Sequence, residues 1–346
     1  VSPALVRPLA TAAALMASPL HAGPVTPLPP VPDRIGFAGA FAGVIGSRLV
    51  AGGGANFPDG VMPWDGGKKV WHDRLFELDL SSPSAKWNNI GTLPAPNGYG
   101  VSITLPEGIL LIGGSDSSRH LAEVTLLTLR EGKPAFTPWP LLPQPLAQMA
   151  AALVGRRIHL CGGITSPKAT AAEAAHLILD LDDRPKGWQA APALPASGRI
   201  LASAAAVGDT FYLVGGCSLA SDADGKPKRS YLRETWKFSS GIWTRLADLP
   251  RPAVAAASPA PVKGHSIYIV SGDDGTQTTP ATHKGFTAEI LRYDISRNTW
   301  SDDGALQVPP PVTLPTAPWK DGFVFFNGEV KPGVRTPAVF LFTPGS

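Results

Sequence analysis

Short apolar runs, each closed by a pair of small residues, recur along the whole chain. They are Leu49–Gly53 (LVAGG), Leu110–Gly114 (LLIGG), His159–Gly163 (HLCGG), Tyr212–Gly216 (YLVGG), Tyr268–Gly272 (YIVSG) and Phe325–Gly328 (FFNG). Counted from Gly52, Gly113, Gly162, Gly215, Ser271 and Asn327, the doublets are spaced 61, 49, 53, 56 and 56 residues apart. Between them, β-branched and aromatic runs are broken by Gly, Pro, Asn and Asp, the punctuation of short strands and turns. Helical periodicity is weak after the first residues. A tryptophan follows each of the first five doublets, at Trp87, Trp139, Trp188, Trp243 and Trp300. The first four lead into Leu93-Pro94, Leu142-Pro143, Leu194-Pro195 and Leu249-Pro250, and the fifth into a Pro-Pro pair.

A period near 50 with a Gly-Gly doublet and a later Trp resembles the kelch repeat, in which each unit is one four-stranded propeller blade. The expected fold is therefore all-β, a six-bladed β-propeller over residues 23–346. The sixth unit is incomplete: after FFNG one more strand, Ala338–Phe342, is readable, and no Trp or Leu-Pro follows. The missing piece stands at the other end, in VTPLPPVP (Val25–Pro32). A ring hides its sheet edges only if it closes. The N-terminal segment is thus expected to supply the outer strand of the last blade.

The segments after the doublets are long and polar: Gly54–Val70, Ser115–Leu121, Ile164–Ala175, Cys217–Tyr231, Asp273–Thr287 and Glu329–Thr336. In antiparallel blades all six should gather at one end of the central channel, where loops on a rigid scaffold form sites. Glu329 stands where the other units carry Gly54, Ser115, Ile164, Cys217 and Asp273. A carboxylate partly desolvated at a ring mouth would have its pKa raised toward a general base's range, and a nearby Arg would oppose that shift. The bland alternative is a solvated acid paired with Lys331. Arg335 offers a planar fork for a substrate carboxylate, or else a structural ion pair with Glu329 or a neighbouring blade.

The first loop adds Asn56, Lys68, Lys69, Trp71 and His72, which could line a sugar pocket through hydrogen bonds and stacking, while Trp64 and Trp71 could equally pack the loop onto its blade. Arg119 and His120, in GGSDSSRH, put a cation beside an imidazole. Asp273-Asp274-Gly275 reads as a turn more readily than a cation site. No nucleophile triad, phosphate loop or zinc spacing is present.

Composition narrows this little further. The chain has 346 residues, 44% apolar and 16% charged, enough for a core. A net charge of +3 without basic runs leaves no nucleic-acid footprint. Cys161 and Cys217 each adjoin a doublet, and are expected as small core residues in adjoining sheets, unbonded. Residues 1–22 resemble a secretory leader, with Arg7, an apolar Leu9–Met16 and Leu20-His21-Ala22 before the cleavage point, implying a periplasmic or secreted protein. No other stretch is long enough to span a bilayer.

With these residues in view, the chain is similar to the bacterial kelch-propeller mutarotases, the N-acetylneuraminate epimerases, and resembles most their cyclically permuted branch. The likeness rests on Phe37–Gly60 (FAGAFAGVIGSRLVAGGGANFPDG), Gly66–Asp73 (GGKKVWHD), the repeats and Asn327–Phe340 (NGEVKPGVRTPAVF). In the better-known branch the segment like NGEVKPGVR precedes the one like FAGAFAG; here the order is reversed, which a closed ring tolerates. The resemblance implies interconversion of the α and β anomers of N-acetylneuraminate (sialic acid) without a cofactor. Glu329 would be the proton acceptor, and Arg335, by its match to the family, would hold the substrate carboxylate or assist at the ring oxygen. The residues themselves suggest His120 as an alternative for that second role, and Asn56, Lys69, His72, Arg119 and His120 as substrate-binding. The alternatives are a non-catalytic propeller that binds a glycan or protein on the same face, and a mutarotase for another sugar acid.

Overall fold

A computed structural model describes residues 23–345; the leader-like residues 1–22 lie outside them. Six four-stranded antiparallel sheets follow one another along the chain. Blade 1 is Phe41–Ile45, Arg48–Gly52, Arg74–Asp79 and Asn88–Thr92, from inside outward. Blade 6 is Thr316–Trp319, Gly322–Phe326, Val339–Phe342 and, on its outer edge, Val25–Leu28. The register of that last pair runs from Val25 opposite Phe342 to Leu28 opposite Val339. The N-terminal segment therefore closes the ring, as the incomplete sixth unit led us to expect. The only helical turns among the described residues are three 3-10 turns, at Pro63–Asp65, Arg184–Lys186 and Pro280–Thr282. None is long and apolar enough to cross a membrane.

The core is a circle of interblade clusters rather than one centre. Ala42, Leu49 and Phe76 of blade 1 pack against Ala317, Val324 and Val339 of blade 6. Val101, Leu110 and Val124 of blade 2 meet Ala151, Ile158 and Leu179 of blade 3. Each blade hides one sheet face on either neighbour, so no blade could shed water from both faces alone. The tryptophans act as spokes between blades. The indole of Trp188 donates to the Pro140 carbonyl at 3.0 Å, Trp243 to Pro192 at 2.7 Å and Trp300 to Ala247 at 3.0 Å. Trp87 donates to Pro29 at 2.7 Å, so the segment after Val25–Leu28 stands where the other blades place the segment after their own Trp.

The doublets turn the chain from the second strand into the mouth loops, and both their positions take left-handed backbone. The structure corrects one alignment: the doublet of the first unit is Gly53-Gly54 (φ +66° and +79°), not Gly52-Gly53, because Gly53 and Gly54 hold the conformations of Gly113 and Gly114. Gly52 is still strand. The second position is glycine in all six units. In five of the six a Cβ would lie 2.7–3.0 Å from a backbone carbonyl oxygen, as at Gly54 (2.8 Å from the Ala38 oxygen) and Gly328 (2.7 Å from the Val312 oxygen), and the glycines at the first position meet carbonyl oxygens as closely, 2.6 Å at Gly53 and 2.4 Å at Gly162. The first position tolerates Ser271 (φ +64°) and Asn327 (φ +57°). Asn327 uses the opportunity: its amide oxygen accepts the Phe37 N–H at 3.3 Å and its amide nitrogen donates to the Ala338 oxygen at 3.2 Å. Cys161 and Cys217 are free and buried, as expected. Burial pushes their thiols up, to about 12 and about 11.

Candidate active site

At the mouth the six blades are joined by a closed circle of backbone hydrogen bonds. One residue ahead of each innermost strand has φ between +56° and +63°: Gly39, Tyr99, Gln148, Leu201, Ala255 and Thr313. Each donates its N–H to the carbonyl of the preceding member, from Tyr99 to Gly39 (2.7 Å) round to Gly39 to Thr313 (2.8 Å). The residue before each member pairs with the residue after a doublet: Ala38 with Ala55, Gly98 with Ser115, Ala147 with Ile164, Ile200 with Cys217, Val254 with Asp273 and Val312 with Glu329. Ala55, not Gly54, is therefore the first-unit counterpart of Glu329. Below the circle the channel offers only about 70 Å³. Above it lies an open cavity of about 390 Å³, in the range of small-molecule sites.

Glu329 and Arg335 face each other across a short hairpin, Glu329–Lys331 against Val334–Arg335. Pro332 and Gly333 turn it, with Gly333 at φ +80°. The Arg335 Nη1 lies 2.5 Å from Glu329 Oε2, and the Gly333 N–H donates to Oε1 at 3.1 Å. Arg335 is more deeply placed than the acid it holds, its side chain 3% exposed against 18%. Its Nε donates to the Ala55 carbonyl at 3.4 Å, and its guanidinium stacks 5.0 Å from the Phe57 ring centre. The acid's partner is thus Arg335 and not Lys331, and the guanidinium holds Glu329 in place.

The cavity brings Glu329, Arg335 and Lys69 together, with Phe57 and Trp64 from the first loop and Arg229 from the Pro227–Tyr231 strand. Tyr99, Gln148, Leu201 and Thr313, all members of the hydrogen-bonded circle, form its floor. Lys69 Nζ lies 5.3 Å from the Trp71 ring centre and 5.0 Å from that of Tyr99. Among the described residues neither Lys69 nor Arg229 has a carboxylate partner, whereas Glu329 is the one acid of the lining. The excess of cations suits an anionic ligand of sugar size.

Four expected ligands are placed elsewhere, and the reading of them as cavity residues is corrected. Asn56 is buried, donating to the Gly36 oxygen at 3.0 Å, and its Oδ1 meets His72 Nε2 at 2.8 Å. His72 also packs edge-on against Phe37, and burial, then Arg74, lowers its pKa. The pair fastens the first loop to the N-terminal segment. His120 is buried with Nδ1 3.0 Å from the Ile164 oxygen, tying blade 2 to blade 3, and burial lowers its pKa too. Arg119 points to solvent, near Asp116 (3.6 Å) and Glu123 (3.5 Å). Asp273 and Asp274 accept turn N–H groups from Gly275 and Thr276, the turn their sequence indicated. Asp273 also accepts the Tyr231 hydroxyl at 2.6 Å, which raises the Tyr231 pKa along with burial, the larger cause.

Tyr99, Gln148, Thr313 and Arg229 were not singled out from sequence. A signal for the first three existed: members of the circle lie 14 residues before the doublet in five units and 16 in the other.

Residues 23–134 match the family model described as NANM: N-acetylneuraminate epimerase. The N-acetylneuraminate epimerase of Salmonella enteritidis PT4 is 35% identical over 117 residues, which is 30% of this chain and 29% of the relative. That of Haemophilus influenzae strain 86-028NP is 33% identical over 114 residues, again 30% of this chain and 29% of the relative. The chain thus spans 29% of the length of these curated relatives. A solved structure reported as "Structure of YjhT" shares the fold, with a TM-score of 0.68 over 91% of this chain and 97% of that one at 14% identity. Lys69 and Tyr99 lie inside the matched residues, Glu329 and Arg335 outside them.

Proposed function

We propose that this chain is a mutarotase that interconverts the α and β anomers of N-acetylneuraminate. The observation that carries the reading is Glu329. It is a carboxylate held by Arg335 and a backbone N–H, and it lines a sugar-sized cavity whose other charges are cationic. The match of residues 23–134 to the epimerase family supports the choice of sugar.

In this mechanism Glu329 removes the proton of the anomeric hydroxyl. The bond from the anomeric carbon to the ring oxygen breaks, and the hydroxyl oxygen becomes the carbonyl of an open keto form. Rotation presents the other carbonyl face, and reclosure gives the opposite anomer. The substrate carboxylate sits on the anomeric carbon, so it must come close to Glu329 and needs a cation there. Lys69, without an acid of its own, supplies that charge. Arg335 acts as a positioning residue, since its fork already serves Glu329 and Ala55. The chemistry requires neither oxidant nor hydrolysis. An exported location belongs to the same proposal and rests on the leader-like residues 1–22; fractionation of expressing cells tests it.

The test is NMR anomer exchange on freshly released sialic acid, with wild type and Glu329→Gln. Wild type should accelerate exchange, and the variant should lose about a hundredfold or more of that acceleration. Binding of sialic acid without acceleration would favour the non-catalytic propeller. Acceleration confined to another sugar acid would move the substrate and keep the mechanism.

A further inference from the structure

We infer that Tyr99 is the proton donor to the ring oxygen, the partner that Glu329 needs and that neither Arg335 nor His120 is placed to be. This rests on the mutarotase reading. The starting point is a glycine. Five of the six members of the mouth circle carry side chains at φ +56° to +61°, so that backbone does not itself demand glycine. Gly39 is the exception, and what occupies its side-chain space is Tyr99. A Cβ on Gly39 would lie 2.6 Å from Tyr99 Cδ1 and 2.9 Å from both Cε1 and Cγ. The ring of Tyr99 therefore leans back from blade 2 and lies over Gly39 of blade 1.

Blade 6 carries Glu329, and the Arg335 that holds it reaches the Ala55 carbonyl of blade 1 from the opposite direction. Acid and base thus line one cavity, with blade 1 between the elements that carry them. Tyr99 is half-buried and lines the cavity, and among the described residues its hydroxyl makes no hydrogen bond. Trp71 supports the ring edge-on, with centres 6.3 Å apart, and Lys69 Nζ lies 5.0 Å from the Tyr99 ring centre. A cation there offsets the negative charge that a phenol acquires when it gives up its proton.

The step balances. Glu329 gains the anomeric hydroxyl proton while the electrons of that O–H bond form the carbonyl. The electrons of the cleaved carbon–oxygen bond stay on the ring oxygen, which takes the Tyr99 proton and becomes a free hydroxyl. Reclosure returns that proton to the phenolate, and the proton on Glu329 passes to the former carbonyl oxygen. Nothing is consumed.

The experiment is the anomer-exchange assay on wild type, Tyr99→Phe and Gly39→Ala, with sialic acid KM measured beside kcat and thermal unfolding as a control. Tyr99→Phe keeps the ring over Gly39, so KM should stay within about threefold while kcat falls about a hundredfold. Gly39→Ala leaves Glu329, Arg335 and Tyr99 in the chain but displaces the Tyr99 ring. Ala255 shows that alanine is tolerated at this φ, and kcat should fall at least about tenfold. A merely structural Tyr99 would spare kcat in the phenylalanine variant. Active wild type with Tyr99→Phe retaining more than half its kcat overturns this inference alone. Wild type that binds sialic acid without accelerating exchange overturns the mutarotase reading, and this inference with it.

Discussion

Lowering the pH from 8 to 5 should strip the protein of stability through one buried pair, His159 and His176. They lie on neighbouring strands of blade 3, 6% and 1% exposed, with His159 Nδ1 3.0 Å from His176 Nε2. Phe211 stacks on both rings, and Phe238 and Trp243 close on His176 edge-on at 4.5 and 5.1 Å. One shared proton satisfies the contact between the rings; an added proton would put a cation among aromatic carbons. Burial, with Arg157 next, brings His159 down to about 4, and burial, with His159 next, brings His176 down to about 3. Unfolded chains take up these protons near pH 6.5, so the unfolded state binds more protons between there and the folded values. Stability is therefore full above about pH 6.5 and falls as the pH drops through that window. At pH 5 each histidine costs about 2 kcal/mol, or about 4 kcal/mol together if they act independently. That is a sizeable part of a typical folding free energy of about 5–15 kcal/mol. Guanidinium unfolding at pH 8 and pH 5 measures it, on wild type and on a His159→Leu/His176→Leu protein. The substitutions alter packing at both pH values, so the comparison is the change with pH within each protein, which should shrink by about 4 kcal/mol in the double variant. His72 and His120 remain in both and cancel. If the double variant loses as much stability between pH 8 and pH 5 as wild type does, the assignment of acid sensitivity to this pair is wrong.

Three further expectations follow from the mouth. Arg335→Gln removes the charge that holds Glu329, and kcat should fall about 10- to 100-fold with a stability loss of about 1–3 kcal/mol, read by anomer exchange and denaturant titration. Lys69→Met should raise KM for sialic acid about tenfold, the loss of one charge-assisted contact worth about 1.4 kcal/mol, and should lower kcat as well, since the same cation offsets the charge that Tyr99 acquires. Asn56→Ala and Arg119→Ala separate loop architecture from chemistry. The first strands the Gly36 carbonyl and His72 and should cost about 1–3 kcal/mol, and the second should stay within about 0.5 kcal/mol. Neither should alter kcat of the folded protein by more than about threefold, since neither side chain lines the cavity.

The architecture was legible because it depends on features that repeat. A doublet needing left-handed backbone, a Trp spoke and a missing outer strand are visible as residue types, and ring closure turned the last of these into the pairing of Val25–Leu28 with Val339–Phe342. Glu329 and Arg335 were legible for the converse reason: they interrupt a repeat. What could not be read was which way the side chains of one polar loop point. Asn56 and Lys69 lie in the same loop and look equally suited to a sugar. A two-residue pairing of Ala55-Asn56 with Val70-Trp71 puts Asn56 beneath the loop, while Lys69 reaches the cavity. GGGA permits two alignments of the first doublet, and the left-handed backbone of Gly53 and Gly54 with the hydrogen bond from Gly54 to Asn97 chooses between them. Tyr99 and Gln148 escaped notice because the circle they belong to is made of backbone, and backbone bonds leave no residue type behind.

That same fact explains how a sixfold scaffold can carry one asymmetric site. Each position after a doublet is fixed by a pair of main-chain bonds, as when the Glu329 and Val312 N–H groups donate to each other's carbonyl at 2.9 Å. The glycine before it is what the turn depends on; the residue itself is free to be Ala55, Ile164, Asp273 or Glu329. The circle behaves alike, holding Gly39, Tyr99, Leu201 and Thr313 in one conformation with unlike side chains. Chemistry at these positions changes without disturbing the bonds that close the ring. Glu329→Gln should accordingly keep the main-chain bonds of the mouth while removing the base and leaving the buried Arg335 charge unpaired, so its rate loss is read as lost chemistry once denaturant titration shows the variant folded.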